Sequence, residues 1–335
     1  MLYVGCMTHV DTPVLSVKNL TTKLMVGKRS YVVVDDLSFN LFHGKTLAIV
    51  GESGCGKSMT AYSIMRILPH PPALPPEGKV LYRGKNLLSL SPHEMRKLRG
   101  SKIAMIFQDP MNALNPVYTI GYQLGEVARL HLNLWGKKAN EMIIQALSDV
   151  GIHDPKERLN DYPHQYSGGM LQRVMIAMAL LGKPDILIAD EPTTALDVTI
   201  QKQILNLMVA LQKKREMAIL LITHDMGVVA EMADEVIVMY ATQKIEEGSV
   251  EQIFAHPSHP YSEGLFKARP THPIKERKFY TIKGSVPHLT ILPSGCHFHP
   301  RCPYVMPICQ QGIVPTFVTD TQTHQVKCWL FKDKS

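Results

Sequence analysis

Long apolar segments, dense basic runs and an evident disulfide framework are all missing from this chain of 335 residues. No stretch approaches the roughly eighteen consecutive apolar residues that indicate a membrane span. One of the longest apolar runs, at residues 217–222, has the length of a strand. The N-terminal residues 1–10 lack a basic region followed by a long apolar core, so no signal peptide is predicted. The sequence therefore predicts a soluble protein of the cytoplasm.

The excess of positive charge is modest, because 36 lysines and arginines face 29 aspartates and glutamates and the basic residues are scattered. A net charge of +7 in this arrangement is typical of a mildly basic solvated surface, so no nucleic-acid partner is predicted. Six cysteines in a cytoplasmic chain argue against disulfides, although four of them crowd the C-terminal end. Apolar residues make up 45% and charged residues 19%, which is the balance of a folded protein with a buried core.

The apolar pattern predicts two antiparallel strands, at residues 14–20 and 31–41, before a series in which strands and helices alternate. The series comprises strands at 46–50, 186–189, 218–223 and 236–240, helices at 58–68 and 200–213, and a mainly helical stretch at 94–150. Such alternation is typical of an α/β fold with a largely parallel sheet covered on both faces. Proline and histidine become frequent from about residue 252, which predicts a separate C-terminal segment.

A glycine-rich turn lies between the predicted strand 46–50 and the predicted helix 58–68. Glycines let backbone N–H groups turn inward around phosphate oxygens, and the helix N-terminus adds its positive end. Lys57 can reach the β- and γ-phosphates of a nucleotide, and the Ser58 hydroxyl can ligate Mg²⁺. The turn therefore predicts a nucleotide-binding site. Its residues are Gly51, Glu52, Ser53, Gly54, Cys55, Gly56, Lys57 and Ser58, which fit the pattern G-x-x-x-x-G-K-[ST].

Two carboxylates, Asp190 and Glu191, follow the four apolar residues of the predicted strand 186–189. Asp190 is predicted to hold Mg²⁺ through water, and Glu191 to orient and polarise the water that attacks ATP. The alternative is that the two acids only end a strand before Pro192. The phosphate-binding turn in the same chain favours the catalytic interpretation.

Four more short motifs contain Gln108, the helix-opening triplet Ser167, Gly168 and Gly169, the triplet Ala195, Leu196 and Asp197, and the strand-end residue His224. Together with the phosphate loop and the carboxylates, they resemble the ATP-binding cassette (ABC) family over nearly the whole chain. That family carries a phosphate loop, a Gln-bearing loop, a signature motif, a carboxylate strand, a D-loop and a switch histidine. All six occur here in the family's order.

The resemblance implies an α/β P-loop NTPase fold of the ABC type, with a RecA-like core, an antiparallel β subdomain, a helical subdomain and a small cysteine-containing C-terminal extension. The implied divisions are an ATP-binding core at 1–90 and 166–251, a helical subdomain at 91–165, and the extension at 252–335. Two cassettes of this family pair head to tail, so that each ATP lies between one subunit's phosphate loop and the other's signature serine, here Ser167.

The resemblance also implies roles for individual residues. Gln108 is expected to sense the γ-phosphate, to ligate Mg²⁺ together with Ser58 and Asp190, and to contact a permease. His224 is expected to hold the γ-phosphate and the attacking water, in a catalytic set that also includes the loop lysine and the second carboxylate. Asp197 is expected to belong to the D-loop.

The sequence departs from the family pattern at three places. The signature has Tyr166 and Met170 at its ends, although its Ser-Gly-Gly part is intact. Most cassettes stack an aromatic ring on adenine, but the matching position is near Leu24. Tyr31 is an alternative platform for adenine, or it belongs only to the next strand. Finally, Thr242, Gln243 and Lys244 stand where the family usually has a glycine turn, so the sequence does not establish a hairpin at this point.

Residues 162–165, 177–181 and 186–200 resemble the ATPases of oligopeptide and dipeptide importers, and nickel-importer ATPases share much of this. Residues 259–265 and 293–303 favour the peptide type. The resemblance implies ATP hydrolysis coupled to import of dipeptides or oligopeptides, at the cytoplasmic face of the plasma membrane.

Several partners are implied with that activity. They are two transmembrane permease subunits, a second ABC ATPase subunit that is a related paralogue or another copy, and indirectly an extracytoplasmic solute-binding protein. A soluble ABC ATPase that acts on DNA or ribosomes is the alternative from a different class. The chain has one cassette and no long heptad insertion, which favours transport.

Cys296, Cys302, Cys309 and Cys328 are separated by five, six and eighteen residues. Four thiolates in a short segment can enclose one cluster or one metal ion, and closing such a site would order a segment with little core of its own. The family resemblance implies a [4Fe–4S] cluster. The alternatives are zinc, with His297, His299 or His324 as a further ligand, and free structural thiols, and the lack of a C-x-x-C pair weakens zinc.

Overall fold

The computed structural model describes residues 12–193, 196–268, 281–319 and 323–332. The strands are β1 (Leu15–Val26), β2 (Arg29–Leu41), β3 (Thr46–Val50), β4 (Glu77–Tyr82), β5 (Lys85–Asn86), β6 (Ile103–Ile106), β7 (Ile186–Asp190), β8 (Ala218–Thr223), β9 (Glu235–Tyr240), β10 (Gln243–Ser249), β11 (Phe317–Val318) and β12 (Gln325–Val326). The helices are α1 (Lys57–Met65), α2 (Pro92–Leu98), α3 (Pro110–Ala113), α4 (Ile120–Leu132), α5 (Gly136–Asp149), α6 (Pro155–Arg158), α7 (Gly168–Leu181), α8 (Val198–Arg215), α9 (Met226–Met232), α10 (Val250–Ala255) and α11 (Pro260–Lys267).

A parallel sheet in the order β9-β3-β8-β7-β6 forms the centre of the molecule. Its strands are almost wholly buried, because helices cover both faces of a parallel sheet. The register pairs Val50 with Thr223 and Asp190 with Ile222. The carboxyl ends of β3, β7 and β8 therefore meet at one edge, where the loops that follow them converge.

The antiparallel part of the sheet contains β1, β2, β4 and β5. The predicted antiparallel pair is confirmed as β1 and β2, and β1 continues to Val26 before a tight turn at Gly27. Strand β10 connects this part to the centre, because it pairs with β9 and reaches β2 at Gln243 and Asp35. The result is one mixed sheet with both parallel and antiparallel strands.

Most of the stretch 94–150 is helical, as predicted, but it also contains strand β6, which the sequence pattern does not predict. All four of its residues are buried, and it pairs with β7 at the edge of the parallel sheet. A run of four apolar residues carries no periodicity that separates a strand from a buried helix turn. Helix α1 also ends earlier than expected, at Met65, because Arg66 adopts a left-handed φ of 52° and its N–H caps the carbonyls of Tyr62 and Ser63.

Helices α4, α5 and α7 pack against one another beside the sheet. In α5 the buried residues Ala139, Ile143 and Leu147 recur every four positions, which places them on one face of the helix. Ser167 begins α7 as its N-cap, accepting a hydrogen bond from the N–H of Met170. Across the described ranges, no helix combines the length and apolar character needed to cross a bilayer.

The hairpin between β9 and β10 forms without glycine. Ala241 and Thr242 adopt positive φ angles of 41° and 78°, a conformation that side chains rarely take. Thr242 is fully buried, and its N–H donates to the Cys55 carbonyl while its own carbonyl accepts from Asp35. These tertiary hydrogen bonds hold the turn where the sequence supplies no glycine.

Candidate nucleotide-binding and ATPase site

The phosphate loop, residues 51–58, joins β3 to α1 and encloses the buried Lys57 side chain. Lys57 Nζ donates hydrogen bonds to the carbonyl oxygens of Gly51 at 2.7 Å and Glu52 at 3.0 Å. A Cβ on Gly51 would lie 2.3 Å from a backbone carbonyl of β9, and a Cβ on Gly56 would lie 2.4 Å from one of β2. Only glycine fits these two positions, so the loop backbone lies directly against the sheet. Of the remaining residues, Ser53 and Gly54 are exposed, Ser58 is half-buried and Cys55 is buried.

Ser58 and Asp190 are brought together by α1 and β7. The Ser58 hydroxyl donates to Asp190 Oδ1 at 2.9 Å. Burial raises the pKa of Asp190, although the Ser58 hydrogen bond acts in the opposite direction. The other carboxylate oxygen, Oδ2, is buried with no hydrogen-bond partner. A hydroxyl beside a carboxylate with an unsatisfied buried oxygen is a donor set that suits Mg²⁺.

Tyr62, which belongs to none of the sequence motifs, also lies beside Asp190. Burial raises the pKa of the Tyr62 phenol, and the neighbouring Asp190 carboxylate raises it further. Tyr62 follows Ser58 by four residues in α1, so the two side chains share one helix face. This spacing is the sequence signal that would have identified it.

Glu191 joins the Gln-bearing loop to the loop after β8. Its Oε2 accepts a hydrogen bond from Gln108 Nε2 at 2.9 Å, and its Oε1 lies 2.9 Å from His224 Nδ1. Glu191 has a left-handed φ of 47°, and its N–H donates to the Ile222 carbonyl. Three residues predicted separately from the sequence therefore form one hydrogen-bonded chain beside Ser58 and Asp190.

The signature triplet lies at the N-terminus of α7. Ser167 and Gly168 are exposed and Gly169 is half-buried, against Ile200 of α8. Asp197 is exposed as well, and its Oδ1 caps α8 by accepting the Ile200 N–H at 2.9 Å. Ala195, which was predicted with Asp197, lies outside the described residues.

The two candidate platforms for adenine occupy one place in the fold. Leu24 and Tyr31 are direct register partners in the β1–β2 hairpin, so their side chains lie on the same face. Tyr31 precedes Val33 by two residues, and the Val33 carbonyl is the one that abuts Gly56 of the phosphate loop. The strand that carries Tyr31 therefore contacts the phosphate loop two residues further along the chain.

The four C-terminal cysteines line one small cavity together with His259 and His299. Burial raises the pKa of Cys296 and Cys302, and raises that of Cys328 to about 12. All four cysteines of this cavity are free thiols; Cys309 and Cys328 are buried, and Cys296 and Cys302 are half-buried. His259 is fully buried, and burial lowers its pKa to about 4. Within the ranges that the structure describes, no three His, Cys, Asp or Glu side chains are arranged to hold a single metal ion.

Comparison with known proteins agrees with this geometry. The family model described as ABC transporter matches residues 34–194, and the one described as the C-terminal region of the oligopeptide/dipeptide transporter matches residues 245–309. The dipeptide transport ATP-binding protein DppD of Bacillus subtilis is 50% identical over 317 residues, which are 95% of this chain and 94% of that protein.

The oligopeptide transport ATP-binding protein OppD of Haemophilus influenzae is 47% identical over 322 residues, or 96% of this chain and 98% of that protein. Among solved structures, the dimeric ATP-binding cassette MJ0796 bound to ADP and phosphate superposes with a TM-score of 0.63 at 26% identity, covering 70% of this chain and 98% of that one. The predicted P-loop NTPase fold is therefore confirmed, and the chain belongs to the ABC transporter family as an ATP-hydrolysing, ATP-binding subunit of the oligopeptide/dipeptide type.

Proposed function

We propose that this subunit hydrolyses ATP to energise the import of dipeptides or oligopeptides through a membrane permease. The observation that carries the proposal is the hydrogen-bonded chain of Gln108, Glu191 and His224 beside Ser58 and Asp190. It joins the loop that would contact a permease to the residues that would act on the γ-phosphate. The relatives are named for dipeptide and oligopeptide transport, which supports a peptide cargo.

The chemistry proposed for the site follows from charge and geometry. Mg²⁺, when bound, would neutralise phosphate charge and polarise the γ-phosphate. Ser58, Asp190 and Gln108 would hold it. Glu191 would accept a proton from the attacking water, and His224 would fix the position of that carboxylate through its hydrogen bond. The buried ammonium of Lys57 would stabilise charge on the β- and γ-phosphates.

A second cassette would complete the site. Helix α7 has fourteen residues, and Ser167 and Gly168 at its N-terminus are exposed. The free N–H groups at this end can therefore bind phosphate from outside the subunit. The similar cassette MJ0796 is dimeric with ADP and phosphate bound, which supports this arrangement. We propose a head-to-tail pair with a related paralogue or a second copy.

An exposed apolar patch supports docking to a permease. Its residues, Phe107, Met111, Val117, Tyr118 and Tyr122, lie in the segment 107–122, which runs from the Gln-bearing loop into the first turn of α4, and Val117 is 69% and Met111 59% exposed. Tyr118 and Tyr122 stack with ring centroids 4.6 Å apart. Large apolar side chains grouped on a surface indicate a binding site for another protein. Docking there would place the subunit peripherally on the cytoplasmic face of the plasma membrane.

Replacing two patch residues should separate docking from nucleotide binding. Met111→Asp with Val117→Asp places two charges in the proposed interface, so we expect the chain to lose co-purification with two hydrophobic permease chains from detergent-solubilised membranes. Binding of ADP by the purified chain should be unchanged. The matched control is Ile313→Asp, because Ile313 is 88% exposed but lies in the C-terminal segment. Co-purification that survives the double substitution, or tight salt-sensitive DNA binding by the wild type, would contradict the transport proposal.

The nearest alternative function is ATP hydrolysis for a nickel importer of the same family, which differs from this proposal only in the transported solute. The match of residues 245–309 to the oligopeptide/dipeptide C-terminal model favours peptides. Solute would be selected by the permease and by an extracytoplasmic binding protein. Uptake of a labelled dipeptide and of ⁶³Ni²⁺ by cells expressing the complete transporter separates the two cargoes.

We also propose that the four-cysteine cavity binds a [4Fe–4S] cluster. The donor chemistry fits, since four free thiols face one cavity in a segment with little other core. Cys296, Cys302, Cys309 and Cys328 would be the ligands. A single zinc ion is the alternative occupant, and the lack of a C-x-x-C pair weakens it.

Anaerobic purification tests the cluster directly. We expect about four iron and four sulfide per chain, with broad visible absorbance that is lost in a Cys296→Ser, Cys328→Ser variant. Cys55→Ser is the matched control, because Cys55 is a buried thiol in the phosphate loop and does not line the cavity. A colourless, iron-free chain from anaerobic cells would leave the cysteines as structural thiols.

A further inference from the structure

The C-terminal segment contacts the phosphate loop at Glu52. Arg301 Nη1 donates to Glu52 Oε2 at 2.6 Å, and Arg301 Nη2 donates to Oε1 at 3.1 Å. This is a two-pronged guanidinium–carboxylate pair, the geometry in which arginine binds carboxylates most specifically. The Arg301 side chain is only 5% exposed, so the pair is shielded from bulk solvent on its cationic side.

A second contact reaches the same loop residue through its backbone. The Glu52 N–H donates to the Tyr261 hydroxyl at 2.8 Å. Tyr261 is fully buried, with its ring 4.7 Å from that of Tyr240 and 5.4 Å from that of Phe298. The hydroxyl that meets the loop therefore has a fixed position. Glu52 is held at its side chain and at its backbone by two separate parts of the C-terminal segment.

Arg301 also organises the segment from which it comes. Its side chain donates to the carbonyls of Lys283 and Gly284, and its guanidinium lies 5.7 Å from the ring centre of Tyr240. The next residue, Cys302, lines the four-cysteine cavity. The Arg301 side chain thus binds both the backbone of the C-terminal segment and Glu52 of the phosphate loop.

The energetic consequence concerns nucleotide binding. A loop with glycines at 51, 54 and 56 loses much conformational freedom when it closes around phosphate, and prior fixation lowers that cost. An acidic side chain in this loop also opposes the approach of a polyanion. Pairing with Arg301 compensates that charge and keeps the carboxylate turned toward the guanidinium.

We propose that Arg301 and Tyr261 are positioning residues for the nucleotide: they preorganise the phosphate loop through Glu52, so that the C-terminal segment sets the affinity of the ATPase for nucleotide. The proposal depends on ATP binding and is independent of the cargo. The assignment of the cysteines to a cluster is also separate from it.

A double-mutant cycle on the full chain tests the proposal. We expect Arg301→Gln to weaken Mg²⁺-ADP binding, measured by titration calorimetry, by about tenfold, or about 1.4 kcal/mol. Glu52→Gln should have a smaller effect, because it breaks the pair without leaving a carboxylate to repel phosphate, and the double variant should bind ADP as Glu52→Gln does, because the pair can be broken only once. The KM for ATP should follow the affinity for ADP, while kcat stays within about twofold.

Two further variants separate positioning from general destabilisation. Tyr261→Phe removes only the hydroxyl and should weaken ADP binding by about threefold. Arg83→Gln is the matched control. It breaks an ion pair in which Arg83 Nη2 lies 2.9 Å from Asp185 Oδ2, outside the phosphate loop, so ADP affinity should be unchanged. If Arg301→Gln does not fold, Arg301→Lys retains the charge without the two-pronged geometry and should weaken binding severalfold. Additive losses in the cycle, or ADP affinity within twofold of wild type in folded Arg301 and Tyr261 variants, would overturn the proposal.

Discussion

Replacing Glu191 by glutamine should lower steady-state ATP turnover by at least about 100-fold and leave ATP bound. The amide cannot accept a proton from the attacking water, whereas its size preserves the contacts of Glu191 with Gln108 and His224. The phosphate loop and the Ser58–Asp190 pair are untouched, so nucleotide affinity should be retained. Single-turnover hydrolysis of radiolabelled ATP, together with the amount of unhydrolysed ATP on the protein, measures both effects.

The matched control for this prediction is Glu141→Gln. Glu141 is exposed on α5 and pairs only weakly, at 4.0 Å, with Lys137, so its loss should not change turnover. Near-normal hydrolysis by the Glu191→Gln chain would show that another group activates the water. It would also remove the reason for assigning His224 as the residue that orients this carboxylate.

Replacing Lys57 by alanine should weaken ATP binding by roughly tenfold or more and reduce hydrolysis to background. Lys57 places the buried cationic group of the loop next to the backbone that would surround the phosphates. In a buried site its charge is screened little by solvent, so its removal takes away a strong attraction for phosphate. Equilibrium binding of a fluorescent ATP analogue and phosphate release measure the two losses.

Lys45→Ala is the control for loss of a lysine. Lys45 is 60% exposed and pairs with Asp234 at the opposite end of β3, so nucleotide binding should persist. Lys57 also links the Gly51 and Glu52 carbonyls, and a melting curve shows whether the variant remains folded. A folded Lys57→Ala chain with unchanged affinity and turnover would contradict the phosphate-loop assignment.

Short motifs predict most of the candidate nucleotide site because their chemistry is local. The phosphate loop needs glycine at fixed positions, and Asp190 must follow a strand, so both features are visible in the residue order. Alternating strands and helices then imply that the loops after β3, β7 and β8 share one edge of the sheet. Glu191 follows β7 and His224 follows β8, so their contact is a result of that arrangement. Gln108 follows β6, which only the structure places at the same edge.

Several features could not be read from the sequence because they depend on distant neighbours. Strand β6 is too short to carry a period, and only pairing with β7 identifies it. The turn at Ala241 and Thr242 lacks glycine, and its conformation is held by hydrogen bonds to Cys55 and Asp35. Tertiary contacts supply what local propensity does not.

The sequence by itself determined the phosphate-binding elements, since each is a contiguous pattern whose physics acts over a few residues, and the order of the motifs determined the resemblance to ABC cassettes. Only the tertiary structure decided how the C-terminal segment bears on that site. Arg301 and Glu52 are separated by 249 positions, and nothing in either neighbourhood indicates the other. The pair exists because the fold brings a guanidinium and a carboxylate together in a shielded place, where each satisfies a charge that would be costly to leave alone.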